Sequence, residues 1–254
     1  EDGQEVYDTT LQSFRLAETV NLPVMVVLDA FLLSHTYEPV DVPEQEAVDR
    51  FLPPYKPEFL LDTRDPFALS PLVTPVNYME MRYDIATAMD EARVRFNDIE
   101  NDFAAIFDRR YGPVEAIACD DAEIVLVTSG TMTSTARMLL EDLRAKGERV
   151  GVLKIKMFRP FPVEDVRKAL KNTRKVAVID RNFSFGASGI FAQEIRAALC
   201  NVPGHPPVFG YIAGLGGRDV TTSVLSDIYS RTKTSNVPAA ESSWVGLQEV
   251  KRAN

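Results

Sequence analysis

The chain has 254 residues, a formal net charge of −9 and 45% hydrophobic residues. That length allows one large or two ordinary domains with a sizeable core, and the negative balance lacks the basic footprint of a broad nucleic-acid groove. The two cysteines, Cys119 and Cys200, and the two histidines, His35 and His205, exclude a disulfide framework, an iron–sulfur cluster held wholly within the chain and a histidine-rich zinc site. No run of about 18 apolar residues reads as a membrane span. No secretory leader is visible, and the sparse cysteines suit a reducing, cytoplasmic setting.

The chain opens on EDGQEVYDTT, a helical pattern in which Tyr7, Leu11, Phe14 and Ala17 recur near helical spacing. LPVMVVLDAF follows as an apolar run of strand character. One helix and one strand cannot cover each other's faces. The front of the chain therefore reads as the later part of a domain whose remainder lies elsewhere. Asp29, Ser34 and His35 stand just past the expected strand. A histidine beside a serine can transfer protons, so Ser34 and His35 are candidate catalytic residues. No further acid stands at a telling spacing, and a structural histidine also fits.

Residues 38–75 are rich in proline and read as an extended excursion. Their aromatic and apolar content (Phe51, Tyr55, Phe59, Leu60) suits a segment that lies on other protein rather than a solvated linker. Residues 78–110 predict one long helix: Met81, Ile85, Ala88, Ala92, Phe96, Ile99, Phe103 and Ile106 alternate steps of three and four, and Gly112-Pro113 ends it. From about residue 115 the pattern is α/β. Strands are expected at 124–128, 150–158, 175–180 and 208–213, each followed by an amphipathic helix, which makes an open, mainly parallel sheet covered on both faces. Residues 236–254 read as a polar tail with the only tryptophan, Trp244.

Ligands of such sheets bind beyond the carboxyl ends of the strands. After the first strand stands Ser129-Gly130-Thr131, with one glycine where a dinucleotide fingerprint wants three. The second strand ends in Phe158-Arg159-Pro160, basic where that fingerprint wants an acid. No P-loop is present. Arg159, Arg181 and Arg218 each follow a strand end. Together they form a candidate anion site or dock for an acidic partner, or else they make ordinary ion pairs with acids such as Asp180 or Asp219. The glycines of RNFSFGASG and AGLGGRDVT (Gly186, Gly189, Gly214, Gly216 and Gly217) are candidates for close backbone approach at an interface.

Taken together, SHTYEPVDVPEQEAVDRFLPPYKPEF, FDRRYGPVE, FRPFP, VAVIDRNFSFGASG and FGYIAGLGGRDVT span nearly the whole chain. In that order they resemble the alpha subunit of the 2-oxoacid:ferredoxin oxidoreductases, most closely the pyruvate type. The resemblance implies an incomplete thiamine-diphosphate pyrimidine-binding domain with its excursion and connecting helix (residues 1–113). A transketolase C-terminal-like open α/β domain (114–235) and the tail (236–254) would follow. It also implies a reaction in which pyruvate, oxalate or another 2-oxo acid meets coenzyme A to give an acyl-CoA, carbon dioxide and two electrons for ferredoxin, or the reverse synthesis. Thiamine diphosphate, Mg2+ and [4Fe-4S] clusters would belong to the complete complex, held mainly or wholly outside this chain, which alone would be inactive. Its partners would be the other subunits or domains, with no nucleic acid. A nucleotide- or flavin-binding electron-transfer subunit and a non-catalytic scaffold remain as alternatives.

Overall fold

The computed structural model describes residues 1–57, 59–66, 68–70 and 72–248. Glu58, in the excursion quoted above, Pro71, one of its prolines, and residues 249–254 of the expected tail lie outside the described residues, as does Phe67. The chain divides into two compact units: Gly3–Val27 with Pro39–Gly112, and Glu1–Asp2, Leu28–Glu38 and Pro113–Asn254. Two segments from before the expected division at residue 113, Glu1–Asp2 and Leu28–Glu38, group with the second unit.

The first unit is helical: α1 (Gly3–Val20), α2 (Gln45–Phe51) and α3 (Pro75–Phe107). α3 starts with proline in its first turn, where no amide donor is missed. Its 33 residues extend about 50 Å. Its buried residues run only from Ala92 to Phe107; Phe103 and Phe107 pack with Phe51 of α2 at ring-centroid distances of 5.2 and 5.8 Å, and with each other at 4.6 Å. In the first half of α3 the expected seam stays open, with Met81 and Ile85 exposed.

α1 buries a different face from the one its apolar spacing predicts. Glu5, Asp8, Gln12, Leu16 and Val20 are inside, whereas Phe14 is exposed. Polar partners outweigh hydrophobicity here. The buried Asp8 carboxylate accepts from Arg109 Nε at 2.6 Å and from the Tyr111 hydroxyl at 2.7 Å. Gln12 donates to Glu100 at 2.8 Å. A buried charge persists only when paired in this way.

The expected strand after α1 does not form. Residues 22–29 form no regular element and pair with no strand among the described residues, and Met25 and Val27 are largely exposed. Strand character in a sequence yields a strand only where a neighbouring edge supplies the ladder.

The second unit is a six-stranded sheet of β1 (Val114–Ile117), β2 (Ile124–Thr128), β3 (Val150–Ile155), β4 (Lys175–Asp180), β5 (Val208–Ile212) and β6 (Ser243–Trp244). Its order is β1-β3-β2-β4-β5-β6, with β1 antiparallel to β3 and the other pairs parallel. Helices α4 (Met132–Ala145) and α7 (Thr222–Thr234) cover one face. Helices α5 (Val163–Leu170) and α6 (Ile190–Leu199) cover the other. Leu126, Val152 and Ile179 point to the first core; Val125, Leu153 and Val178 point to the second. Burial on both faces explains why these strands read as unbroken apolar runs. The expected strands at 150–158 and 208–213 end slightly earlier than read. Edge strands β1 and β6 were not expected: β1 is short, with a charged residue in it, and β6 has two residues. β6 pairs with Tyr211 and Ile212, so part of the tail completes the sheet.

Strand order reverses at β2, since β3 lies on one side of it and β4 on the other. The crevice beyond the carboxyl ends of β2 and β4 is thus the topological switch point, where ligands of open α/β sheets bind.

Candidate functional site

Three segments of the second unit meet at this crevice. β2 ends in Ser129, whose hydroxyl donates to the Ile155 carbonyl at 3.0 Å. The chain then turns at Gly130 (φ +64°) into α4. β4 ends in Asp180-Arg181. The loop of residues 28–38 brings Asp29.

The Asp29 carboxylate lies at the N-terminus of α4. It accepts from the Thr131 amide at 2.8 Å and from the Thr131 hydroxyl at 2.5 Å, and Arg181 pairs with it at 3.1 Å. A helix N-terminus favours an anion through its free amides and its dipole. In a nucleotide-binding protein a phosphate takes that place; here the chain's own carboxylate does. Gly130 makes the approach possible, since a Cβ there would stand 2.6 Å from Asp29 Oδ2.

Asp180 fills the neighbouring helix end in the same manner. It accepts from the amides of Phe191 at 2.8 Å and Ala192 at 3.1 Å. Burial pushes its carboxyl above the ordinary aspartate value, and those amides pull it back only in part. Gly189 leaves room for it.

The loop between Asp29 and Glu38 is tightly held. Phe31 has φ +66°, a left-handed conformation that costs a bulky residue about 1–3 kcal/mol and persists only where its surroundings impose it. The Phe31 amide donates to Ser34 Oγ at 3.0 Å. Ser34 Oγ lies 2.7 Å from His35 Nδ1, and the His35 ring rests on Phe31 with centroids 5.0 Å apart. Ser34 and His35 thus form a hydrogen-bonded, solvent-exposed pair.

Each of the three arginines has a partner within the chain, and those partners are not the ones named from the sequence. Arg159 pairs with Glu194 at 2.6 Å and stacks on Phe158. Arg181 holds Asp29, and Arg218 donates to the Gly246 carbonyl. Among the five glycines, Gly189 and Gly214 are places of close approach, but within the chain: Gly214 admits Val220 and Arg181. Gly186, Gly216 and Gly217 face open space. Asp29 as an occupant of the crevice was missed. Its partners lie 102 or more residues away, and nothing in local spacing signals such a tie. Among the described residues no group of three or more His, Cys, Asp or Glu is placed to hold a metal ion.

A family model described as "Pyruvate flavodoxin/ferredoxin oxidoreductase, thiamine diP-bdg" matches residues 1–101, and one described as "Pyruvate:ferredoxin oxidoreductase core domain II" matches residues 122–225. The chain belongs to the 2-oxoacid:ferredoxin oxidoreductase family. Pyruvate synthase subunit PorA of Methanothermobacter thermautotrophicus is 43% identical over 98% of this chain and 64% of its own length. Ketoisovalerate oxidoreductase subunit VorA of Pyrococcus abyssi is 45% identical over 88% of this chain and 57% of its own. The chain thus spans about three fifths of the length of these relatives. Among solved structures, a 2-oxoglutarate:ferredoxin oxidoreductase from Magnetococcus marinus matches at 18% identity and a TM-score of 0.41, over 64% of this chain and 24% of that one. That likeness is too slight to carry geometry across. For a 2-oxoacid oxidoreductase chain, the donors at the switch crevice do not fit a thiamine diphosphate: the Thr131 amide, its hydroxyl and Arg181 Nη1 are engaged by Asp29, and Arg181 Nε, which has no hydrogen-bond partner, is buried.

Proposed function

We propose that this chain is part of a thiamine diphosphate-dependent 2-oxoacid:ferredoxin oxidoreductase acting on pyruvate. In that complex pyruvate and coenzyme A give acetyl-CoA and carbon dioxide, and two electrons pass to ferredoxin, or the reaction runs in reverse. The observation that carries this reading is the pair of family matches, thiamine diphosphate-binding first and core domain II second, in one chain. Pyruvate is favoured over a branched 2-oxo acid on coverage alone: the pyruvate synthase relative aligns over 98% of the chain and the ketoisovalerate one over 88%, at identities of 43% and 45%.

The thiazolium group supplies the carbanion chemistry in such enzymes. This chain's contribution is a rigid α/β unit whose own carboxylates close two helix ends. Thiamine diphosphate, Mg2+ and [4Fe-4S] clusters would be held by other parts of a cytoplasmic complex. The filled crevice weighs against the alternative of a nucleotide- or flavin-binding electron-transfer subunit. The test is 2-oxo acid-dependent reduction of ferredoxin or a viologen dye by the purified complex that contains this chain. Coenzyme A-dependent turnover with pyruvate supports the reading. A complex that turns over no 2-oxo acid but retains a flavin or nucleotide overturns it.

A further inference from the structure

We propose that Asp29 is a positioning residue that clamps the loop of residues 28–38 at the switch crevice, so that Ser34 holds His35 with its Nε2–H directed outward as a donor for an anionic oxygen of the reaction's substrates. The inference rests on the function proposed above for the identity of those substrates, but not for the geometry.

Three observations carry it. Asp29 is bound by the Thr131 amide, the Thr131 hydroxyl and Arg181, groups fixed at the ends of β2 and β4. Two residues later Phe31 adopts a left-handed conformation that a free loop would relax. The strained turn then aims the Phe31 amide at Ser34 Oγ, which lies 2.7 Å from His35 Nδ1. The Ser34 hydroxyl accepts the amide proton through one lone pair and has its own proton to give; we assign that proton to Nδ1, the tautomer that leaves the ring N–H on Nε2 of the exposed His35. A hydrogen-bond donor held this way, on a loop that Asp29 ties to the carboxyl ends of β2 and β4, suits a carboxylate or a phosphate. The 2-oxo acid offers the first and coenzyme A the second.

Two measurements test this. The first is chemical modification of the full chain with diethylpyrocarbonate, which acylates an unprotonated imidazole nitrogen, read at His35 by peptide mass spectrometry with His205 as internal reference. Ser34→Ala, Asp29→Ala and the milder Asp29→Asn should each raise the His35 rate. About fivefold is expected for the alanine variants, the factor one ordinary hydrogen bond represents, with His205 unchanged. Unaltered His35 reactivity in both Asp29 variants, with Ser34→Ala faster, overturns the clamp. The second is steady-state kinetics of the complex. His35→Gln should raise KM for either the 2-oxo acid or coenzyme A, whichever it meets, with kcat largely kept. Asp29→Ala should add nothing further once His35 is gone. Additive effects, or a kinetically silent His35→Gln, overturn the role in binding. If the complex turns over no 2-oxo acid, the proposed function fails, and the clamp is decided by the modification rates alone.

Discussion

Replacing Gly189 by alanine tests how the carboxyl edge is built. Gly189 has φ −59°, so alanine meets no backbone strain. The obstacle is steric: a Cβ there would stand 2.1 Å from Asp180 Oδ2 and 2.4 Å from its Cγ. The Asp180 carboxylate must leave the N-terminus of α6, where the amides of Phe191 and Ala192 hold it. Losing a helix cap costs about 1 kcal/mol, and leaving buried polar groups unsatisfied costs about 1–3 kcal/mol more. The expected destabilisation is about 3 kcal/mol, a fall in Tm of roughly 6–12 °C for a protein of this size. Thermal and urea melts read it directly. In an Asp180→Ala background, where the two closest atoms are gone and only Cβ at 2.7 Å remains, the same change should cost at least about 1 kcal/mol less. A Gly189→Ala variant within about 0.5 kcal/mol of the parent, or full additivity with Asp180→Ala, contradicts this packing.

Glu1 gives a pH-dependent prediction. Burial by itself raises its carboxyl, but hydrogen bonds from Arg137 and Lys154 outweigh that and hold it at about 2, below its ordinary 4.5. A carboxyl lowered on folding stabilises above the unfolded value, and that contribution is lost as pH falls from about 4.5 toward 2. Glu1→Gln should therefore cost about 2–3 kcal/mol near neutral pH and flatten the acid limb of a Tm–pH profile; an unchanged limb contradicts the pairing. Arg109→Met strands the buried Asp8 and should cost about 3–5 kcal/mol, whereas Asp8→Asn should cost less, both by chemical denaturation. For the thiols, burial pushes Cys119 up to about 11, whereas Cys200 is exposed. Iodoacetamide should label Cys200 alone in the native chain and both cysteines in denaturant, as read by intact mass.

The sheet was legible where burial was two-sided. Runs such as IVLVT and VAVID are short, rich in β-branched residues and bounded by turns, which marks a covered parallel strand, and the helices between them carry regular apolar spacing. β1 and β6 were not legible, because short edge strands bury little and leave little pattern. α1 was misread because its inward face is polar, with Asp8 and Gln12 satisfied by Arg109 and Glu100, which follow it by 88 or more residues. The strand after it was misread because alternation and β-branching describe a residue's preference and say nothing of a pairing partner. At the candidate site, the Ser34–His35 pair was visible as neighbours in sequence. Asp29 at the N-terminus of α4 was not, because a tie across 102 residues is set by topology.

On the function proposed above, the switch crevice belongs to a 2-oxoacid oxidoreductase and holds no nucleotide of its own. The most direct measurement is the coenzyme A-dependent reduction of ferredoxin by the purified complex with pyruvate as substrate, run beside a titration of the chain with NADH and ATP. The complex should turn over pyruvate, and the chain should show no saturable nucleotide binding. Micromolar nucleotide binding abolished by substitution of Arg181, with no turnover of any 2-oxo acid, would contradict it.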